Sequence, residues 1–489
     1  MSSELEKDVE RERLAAENSE LCRQIDELSR RVAELEALLK KLGRASPTPR
    51  LDQAYSLKAE EQRQAVVEAG GKKRRPRQKS SRRGRIATQE KLDRAERIEI
   101  VLPQGFARED CELLRRRPAW RIESGRAMLV AYEIYRGPQG QVPKVPGLLS
   151  RCEFGLEILL TLAHQTQIVG LSIDKVLAEL QYFWGLTLSK SQADALLSRL
   201  AREWHVEFDQ LCQLLAVSAV VHTDETSWSI HSVWTFLSES ARLLIFGCHK
   251  DAATLATLLP KETFGGVLVS DDAAVYRGFS QAQKCWAHLL RKAIKLTLLQ
   301  PQSTRYRTFL DGLLALYREA CRAAADQRLG AEGRQRRIDQ LELQLCDLCE
   351  ARVADATPPA SSVERDFFNL AHELVRLMAA NELFTFVRVP DVPGTNNESE
   401  RTLRNPARNR RTDQTSRSVR GARRRTILTS VLESLRTRLP VFDLRSVQAE
   451  VSDWFQSGLS CFGRMLQKLG LPALDHSPLD DLVPLVNST

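Results

Sequence analysis

Leucines recur at every seventh position, 14, 21, 28, 35 and 42, and Asn18, Ile25, Val32 and Leu39 follow the first four of them by four residues. With the leucines at d and the second set at a, residues 1–45 are predicted to form a parallel two-stranded coiled coil in which Asn18 fixes the register. Arg31 at g can then meet Glu36 at e of a partner. A single helix folded back on its own chain is the alternative, and the strict 3.5-residue period favours self-association. Gly43 and Pro47 end the pattern. Residues 46–96 lack periodicity, carry Pro, Ser and Gly, and read as a flexible linker. Alternating runs at Arg97–Leu102 and Arg126–Tyr135, closed by Gly137-Pro138 and Pro143, predict a small β module over 97–147. From Phe154 the spacing turns helical, with Leu156, Ile158, Leu159 and Leu162 and then Ile173, Val176, Leu177 and Leu180. Ser189 and Gln192 have capping-box spacing at the head of a further helix. Residues 148–212 are therefore expected to be helical, either as a helix-turn-helix reader of DNA or as helices packed in the ordinary way.

Val217–Cys248 reads as strands, one reaching Asp224, then Val233–Leu237 and Leu243–Gly247. A helix at Asp251–Leu259, a strand ending at Asp271, a short helix near Tyr276 and a helix after Cys285 follow. The order β-β-β-α-β-α-β-α is that of a ribonuclease-H-like α/β layer, a mixed sheet flanked by helices. Its first part would span 213–300. Residues 301–390 carry mainly helical patterns and are expected to form an all-α insertion. The layer would resume over 391–440, and 441–489 would be a C-terminal helical tail.

The chemistry is expected where apolar runs end on acids. Val220–Thr226 is a continuous apolar run that reaches Asp224, and Val267-Leu-Val-Ser270 runs into Asp271. Strands buried on both faces have this look, and their carboxyl ends are where such sheets place their sites. Any one acid there reads first as a strand terminator; two on one edge suit a hard divalent cation. A third acid would allow two ions to share the site, and Glu398 and Glu400 are candidates at the start of a probable helix. Residues two apart on a helix point to different sides. Glu400 shares its face with Leu403 and Ala407, whereas Glu398 lies with Arg401 and Thr402, so Glu400 is the expected ligand. Asn396 or Asn397 would cap that helix.

Charge narrows the partners. Lys and Arg outnumber Asp and Glu by 72 to 63, giving a net charge of +9. The excess is concentrated: Lys72, Lys73, Arg74, Arg75, Arg77, Lys79, Arg82, Arg83 and Arg85 fall in one acid-free block, and 401–425 is rich in arginine. Such blocks suit a polyanion, most simply DNA, though a solvated linker has the same composition. The ten cysteines show no paired framework. The polar amino terminus and the lack of a long apolar run predict a cytoplasmic protein with free thiols and no membrane partner. Cys346 and Cys349 have metal-knuckle spacing but lie in a helical pattern without a second pair, so they are expected in a core.

Thr223-Asp224-Glu225-Thr226, Ser270-Asp271 with Tyr276, Cys285-Trp-Ala-His288-Leu289 with Arg291, and Asn396-Asn-Glu-Ser-Glu400-Arg401 with Leu403-Arg404 together resemble the transposases of the insertion sequence 66 type. The likeness runs from about 97 to 438. It implies an Asp-Asp-Glu site of Asp224, Asp271 and Glu400 holding two Mg²⁺ ions, with Mn²⁺ able to substitute. It also implies cleavage of DNA at element ends followed by transfer into target DNA, on a bacterial, nucleoid-associated protein. Arg401 and Arg404 join the basic block as expected DNA contacts. Trp286 and His288 belong to the pattern and are expected to shape the site, though His288 alone reads as a histidine satisfied in the core. Glu225 is expected to be a neighbour and no ligand. Relatives often have Asp-Gly-Tyr where this chain has Asp271-Asp272-Ala273, which puts a rival acid beside the ligand. Many also carry a cysteine-rich zinc module; here the β module occupies that zinc-ribbon-like position with only Cys111 and Cys152 nearby, so no zinc is expected. The coil implies a homodimer or higher assembly, and helper proteins of the same element are possible partners. The alternatives are a regulatory DNA-binding relative without catalysis and a nuclease that cuts without rejoining.

Overall fold

The computed structural model describes residues 86–353, 361–412 and 414–484, together with scattered helical positions between Ser19 and Glu34. The leucines of the heptad seam and the basic block 72–85 lie outside the described residues. The expected linker 46–96 is structured at its end, where Thr88–Asp93 is a short helix. Strands β1 (Arg97–Val101), β2 (Glu112–Glu123) and β3 (Arg126–Arg136) make a sheet of order β1-β3-β2. Ala119, Val130, Tyr132, Ile134, Val145 and Leu148 form its own core.

A second sheet holds β4 (Val220–Ser227), β5 (Ser232–Leu237), β6 (Arg242–Cys248), β7 (Val267–Ser270) and β8 (Ala282–Lys284) in the order β6-β5-β4-β7-β8. The β4–β5 and β5–β6 pairs are antiparallel, and β4–β7 and β7–β8 are parallel. This central position explains why the start of β4 and the whole of β7 are buried: apolar cores lie on both faces of the sheet. One expectation needs correcting here. β4 does not end at Asp224 but stays paired with β5 through Ser227, because the antiparallel partner continues where the parallel one stops.

Before the sheet come α1 (Leu156–Ala163), whose last turn widens into a π-helix at His164–Val169, and α2 (Ile173–Trp184), α3 (Lys190–Glu203) and α4 (His205–Ala216). Ser189 and Gln192 do form a capping box. These helices were expected as a separate domain, and 441–489 as a tail. Both instead share one core with the sheet: Leu156, Leu200 and Phe208 cluster with Trp234 and Phe246, and with Trp454 and Phe462 from α12 (Leu444–Ser457) and α13 (Cys461–Lys468). Burying the apolar faces of α1–α4 against the sheet removes more surface from water than a free-standing bundle of that size could.

Helix α11 (Val419–Arg438) closes the β6 edge. Thr426 Oγ1, Ser430 Oγ and Ser434 Oγ, one turn apart, accept from the amides of Phe246, Leu244 and Arg242 at 3.0, 2.9 and 2.9 Å. Side-chain hydroxyls thus satisfy an edge strand that would otherwise present bare N–H groups.

The helical insertion comprises α7 (Thr304–Ala325), α8 (Ala331–Val353) and α9 (Ser362–Ala379), packed on α6 (Trp286–Leu299). Its core takes in Val267 and Val269 of β7 from the opposite face of the sheet. Cys349 is buried in α8, and Cys346 is exposed. Among the described residues no helix is long and apolar enough to cross a membrane.

Candidate active site

β4 and β7 pair with Val220 opposite Val267, Val221 opposite Leu268 and His222 opposite Val269. Asp224 and Asp271 each come two residues after the last of these pairs. Parallel strands lie about 4.8 Å apart, so the two aspartates sit side by side, Asp271 just past the end of β7 and Asp224 on the neighbouring part of β4. β7 stops at Ser270 while β4 runs on with β5, and the two strands separate at this point.

Each aspartate is held by backbone: Asp224 Oδ1 accepts from the Glu225 amide and Asp271 Oδ1 from the Ala273 amide, both at 2.9 Å. Burial pushes the Asp224 carboxyl up to about 7, and the negative charges of Glu225, Asp271 and Glu400 add to the effect against the opposing Glu225 amide. The three expected acids therefore feel one another. Glu225 points to the other face of β4, as alternation requires. There it accepts from the Tyr276 hydroxyl and pairs with Lys250. Its side chain acts on Asp224 through charge, and its amide through a hydrogen bond.

Glu400 arrives on α10 (Asn397–Arg411). The helix is fastened by Asn396, which is fully buried. The expected cap is absent: the Asn396 side chain makes no cap hydrogen bond, and its Nδ2 donates to the Thr223 carbonyl at 2.7 Å while its Oδ1 faces His222 Nδ1 at 3.2 Å. It therefore ties the glutamate helix to the strand that carries Asp224. Glu398 and Glu400 diverge as the helical period requires. Glu398 pairs with Arg242 at the start of β6. Glu400 turns toward α6, where Arg291 Nη2 donates to both its oxygens at 2.6 and 2.8 Å. Pro406 sits inside α10 without ending it.

The structure gathers Glu400 more tightly with other groups than with the aspartates. Among the described residues, the ligand-capable atoms lying within 4.8 Å of one another belong to Cys285, His288 and Glu400. Asp224, Asp271 and Glu400 do not form so close a set. His288 Nε2 is 3.6 Å from Glu400, and its Nδ1 is buried without a hydrogen-bond partner. The reading of His288 as a satisfied core residue is thus corrected: it stands at the rim of the site, and burial lowers its pKa. Trp286 is also placed differently from expectation. Its ring is fully buried in the insertion core, stacked on Tyr317 at 5.1 Å, with Nε1 donating to the Leu383 carbonyl at 2.9 Å. It anchors α6 and leaves the rim to His288.

A cavity of about 550 Å³ opens beside Asp271, between the sheet and α9. His288, Lys292, His372 and Arg376 line it. Asp272, the rival acid, pairs with Arg376 and lies 3.8 Å from Arg277. Beneath it Lys284 is fully buried, donating to Ser270 Oγ at 3.2 Å and the Tyr276 carbonyl at 3.3 Å, and burial lowers its pKa. Sequence patterns missed Lys284, Arg376 and the tie through Asn396; only Arg291, three residues after Trp-Ala-His and about one helical turn beyond His288, carried a readable signal. Arg401 and Arg404 are exposed on α10. Arg423, Arg424 and Arg425, from the same arginine-rich stretch, are instead partly buried in contacts of the fold.

Residues 153–424, more than half of the chain, match the family model described as Transposase IS66 family. No curated protein matches the chain.

Proposed function

The chain belongs to the IS66 family of transposases, and from that premise we propose that Asp224, Asp271 and Glu400 form its catalytic carboxylates and hold two divalent cations. The observation that carries this reading is the β4–β7 register, which sets Asp224 within β4 beside Asp271 at the end of β7, with the Glu400 helix tied to β4 through Asn396. The order β6-β5-β4-β7-β8, antiparallel then parallel, supports a ribonuclease-H-like layer.

The donor set fits a hard cation. All three groups offer carboxylate oxygens, and the Asp224 carboxyl is pushed up to about 7 by burial and by acids around it, which an ion there would relieve. Glu400 must turn from Arg291 to join the aspartates, and Arg291 and His288 then hold its resting position. When bound, Mg²⁺ or Mn²⁺ supplies charge to the attacked phosphate and acidity to the attacking oxygen. Lys292 and Arg376, on the cavity wall, would exchange their partners Glu373 and Asp272 for the phosphates of a strand laid across it. In the reaction proposed, water cleaves a phosphodiester at the element end. The freed 3′-hydroxyl then attacks a target phosphodiester, expelling the target's own 3′-oxygen.

The DNA would be held by the basic block 72–85 together with Arg401 and Arg404, and two chains would pair through the amino-terminal coil, with helper proteins of the same element as further partners. Substituting Asp224→Ala tests the catalytic reading on a labelled end plus target substrate. Loss of both cleavage and joining, with folding and DNA binding kept, is expected. A variant that joins ends at the wild-type rate overturns the assignment. Wild-type cleavage without joining would identify a nuclease instead.

A further inference from the structure

Behind α10, on the side away from Glu400, a cavity of about 560 Å³ lies between α10, α11, β6 and the π-helical turn. We propose that it binds a phosphorylated nucleotide unit. Four arginines line it, Arg242, Arg401, Arg425 and Arg436. Arg242 is paired with Glu398, and Arg436 lies 3.7 Å from Glu433. Arg425 has no carboxylate partner among the described residues. It is sandwiched 5.2 Å from the rings of Trp228 and Phe246, its Nη1 donates only to the Gln414 carbonyl at 3.2 Å, and its Nε is buried without an acceptor. A guanidinium withdrawn from water with no counter-anion is unfavourable, and burial lowers its pKa to about 10.

The surrounding atoms point to the missing partner. Arg242 Nε, Thr429 Oγ1 and Gln167 Oε1 also line this cavity, buried and unpaired. Thr429 is 4% and Gln167 8% exposed, so these polar groups are withdrawn from bulk solvent at the cavity's edge. Guanidinium donors and a hydroxyl bordering one cavity suit the oxygens of a phosphate, with Glu433, which also lines it, as the one carboxylate to be displaced from Arg436. The volume is that of a small-molecule site. Ile168, Leu244 and Pro406 also line the cavity and offer apolar surface against which a base can lie. Both a free nucleotide and the terminal nucleotide of a DNA strand carry this chemistry. The site uses none of Asp224, Asp271 or Glu400, so it stands or falls independently of the catalytic reading.

Calorimetry on the full chain, in EDTA at physiological salt, tests the proposal with inorganic pyrophosphate, a deoxynucleoside 5′-monophosphate, and a single-stranded oligonucleotide with or without a 5′-phosphate. Pyrophosphate and the mononucleotide are expected to bind once per chain. Arg436→Gln should weaken them by at least about tenfold, Thr429→Val should weaken them severalfold without altering shape, and Asp224→Ala should leave them unchanged. A 5′-phosphate that tightens oligonucleotide binding, with the gain lost in Arg436→Gln, identifies a strand end as the source; mononucleotide binding lowered by Arg436→Gln with no effect of the 5′-phosphate on the oligonucleotide identifies a free nucleotide. The proposal is overturned if neither small probe binds and the 5′-phosphate makes no difference to the oligonucleotide, or if both variants bind as wild type does.

Discussion

Asn396 is where a single substitution should separate positioning from chemistry. Its side chain bridges Thr223 and His222, and Asn396, Thr223 and His222 are 0%, 0% and 8% exposed. Burial lowers the His222 pKa, so the ring is neutral at pH 7 and its Nδ1–H is taken to donate to Asn396 Oδ1. Asn396→Ala strips a partner from two buried groups, the Thr223 carbonyl and the His222 ring. At about 1–3 kcal/mol for each orphaned group, the variant should lose about 2–6 kcal/mol of stability. Asn396→Asp keeps an acceptor for His222 but turns a carboxylate toward the Thr223 carbonyl. In that variant the carboxylate favours protonated His222 and raises its folded pKa above the unfolded value. The stabilising pair is then present at low pH and lost as pH rises through the folded pKa, so Asn396→Asp should be less stable at pH 8 than at pH 6. Urea unfolding followed by tryptophan fluorescence, at both pH values, measures this alongside strand-transfer rate. An Asn396→Ala protein with the wild-type midpoint, or an Asn396→Asp protein indifferent to pH, refutes the reasoning.

Other outcomes follow from single contacts. Glu207 has its Oε2 buried without a partner, and burial raises its carboxyl from 4.5 to about 7. The unfolded chain releases that proton first, so stability should fall as pH climbs from about 4.5 to 7 and level off above; Glu207→Gln should gain about 1–3 kcal/mol at pH 8 and nothing at pH 4, as denaturation at the two pH values would reveal. Ser430→Ala leaves the buried Leu244 amide without its acceptor and should cost about 1–3 kcal/mol, with faster hydrogen exchange at that amide; unchanged exchange would contradict the edge-sealing role of α11. Trp286→Ala should cost about 3–5 kcal/mol and loosen α6, read as a lower thermal midpoint together with weakened Arg291–Glu400 coupling in a double-mutant cycle. DNA affinity should drop steeply with added salt, and a salt-independent affinity would exclude phosphate contacts by the basic segments.

Periodicity in the chain was enough to establish the β module, the strands that deliver Asp224 and Asp271, the helical insertion and the divergence of Glu398 and Glu400 to different sides of their helix. Each of these depends on which face of an element is apolar, and that is written in residues two to four positions apart. What covers that face is not so written. The helices of 156–216 and the carboxyl-terminal helices joined the core of the sheet because a one-sided apolar stripe does not name its partner. The same ignorance hid the hydroxyl ladder of Thr426, Ser430 and Ser434, which has ordinary helical spacing until an edge strand lies against it. Asn396 meets Thr223 across 173 positions and Arg291 meets Glu400 across 109, and no local pattern predicts such a pairing. The run of β4 past Asp224 and the turn of Glu400 toward Arg291 were likewise settled only by folding: the first by a longer antiparallel neighbour, the second by a cation brought within hydrogen-bond reach from another helix.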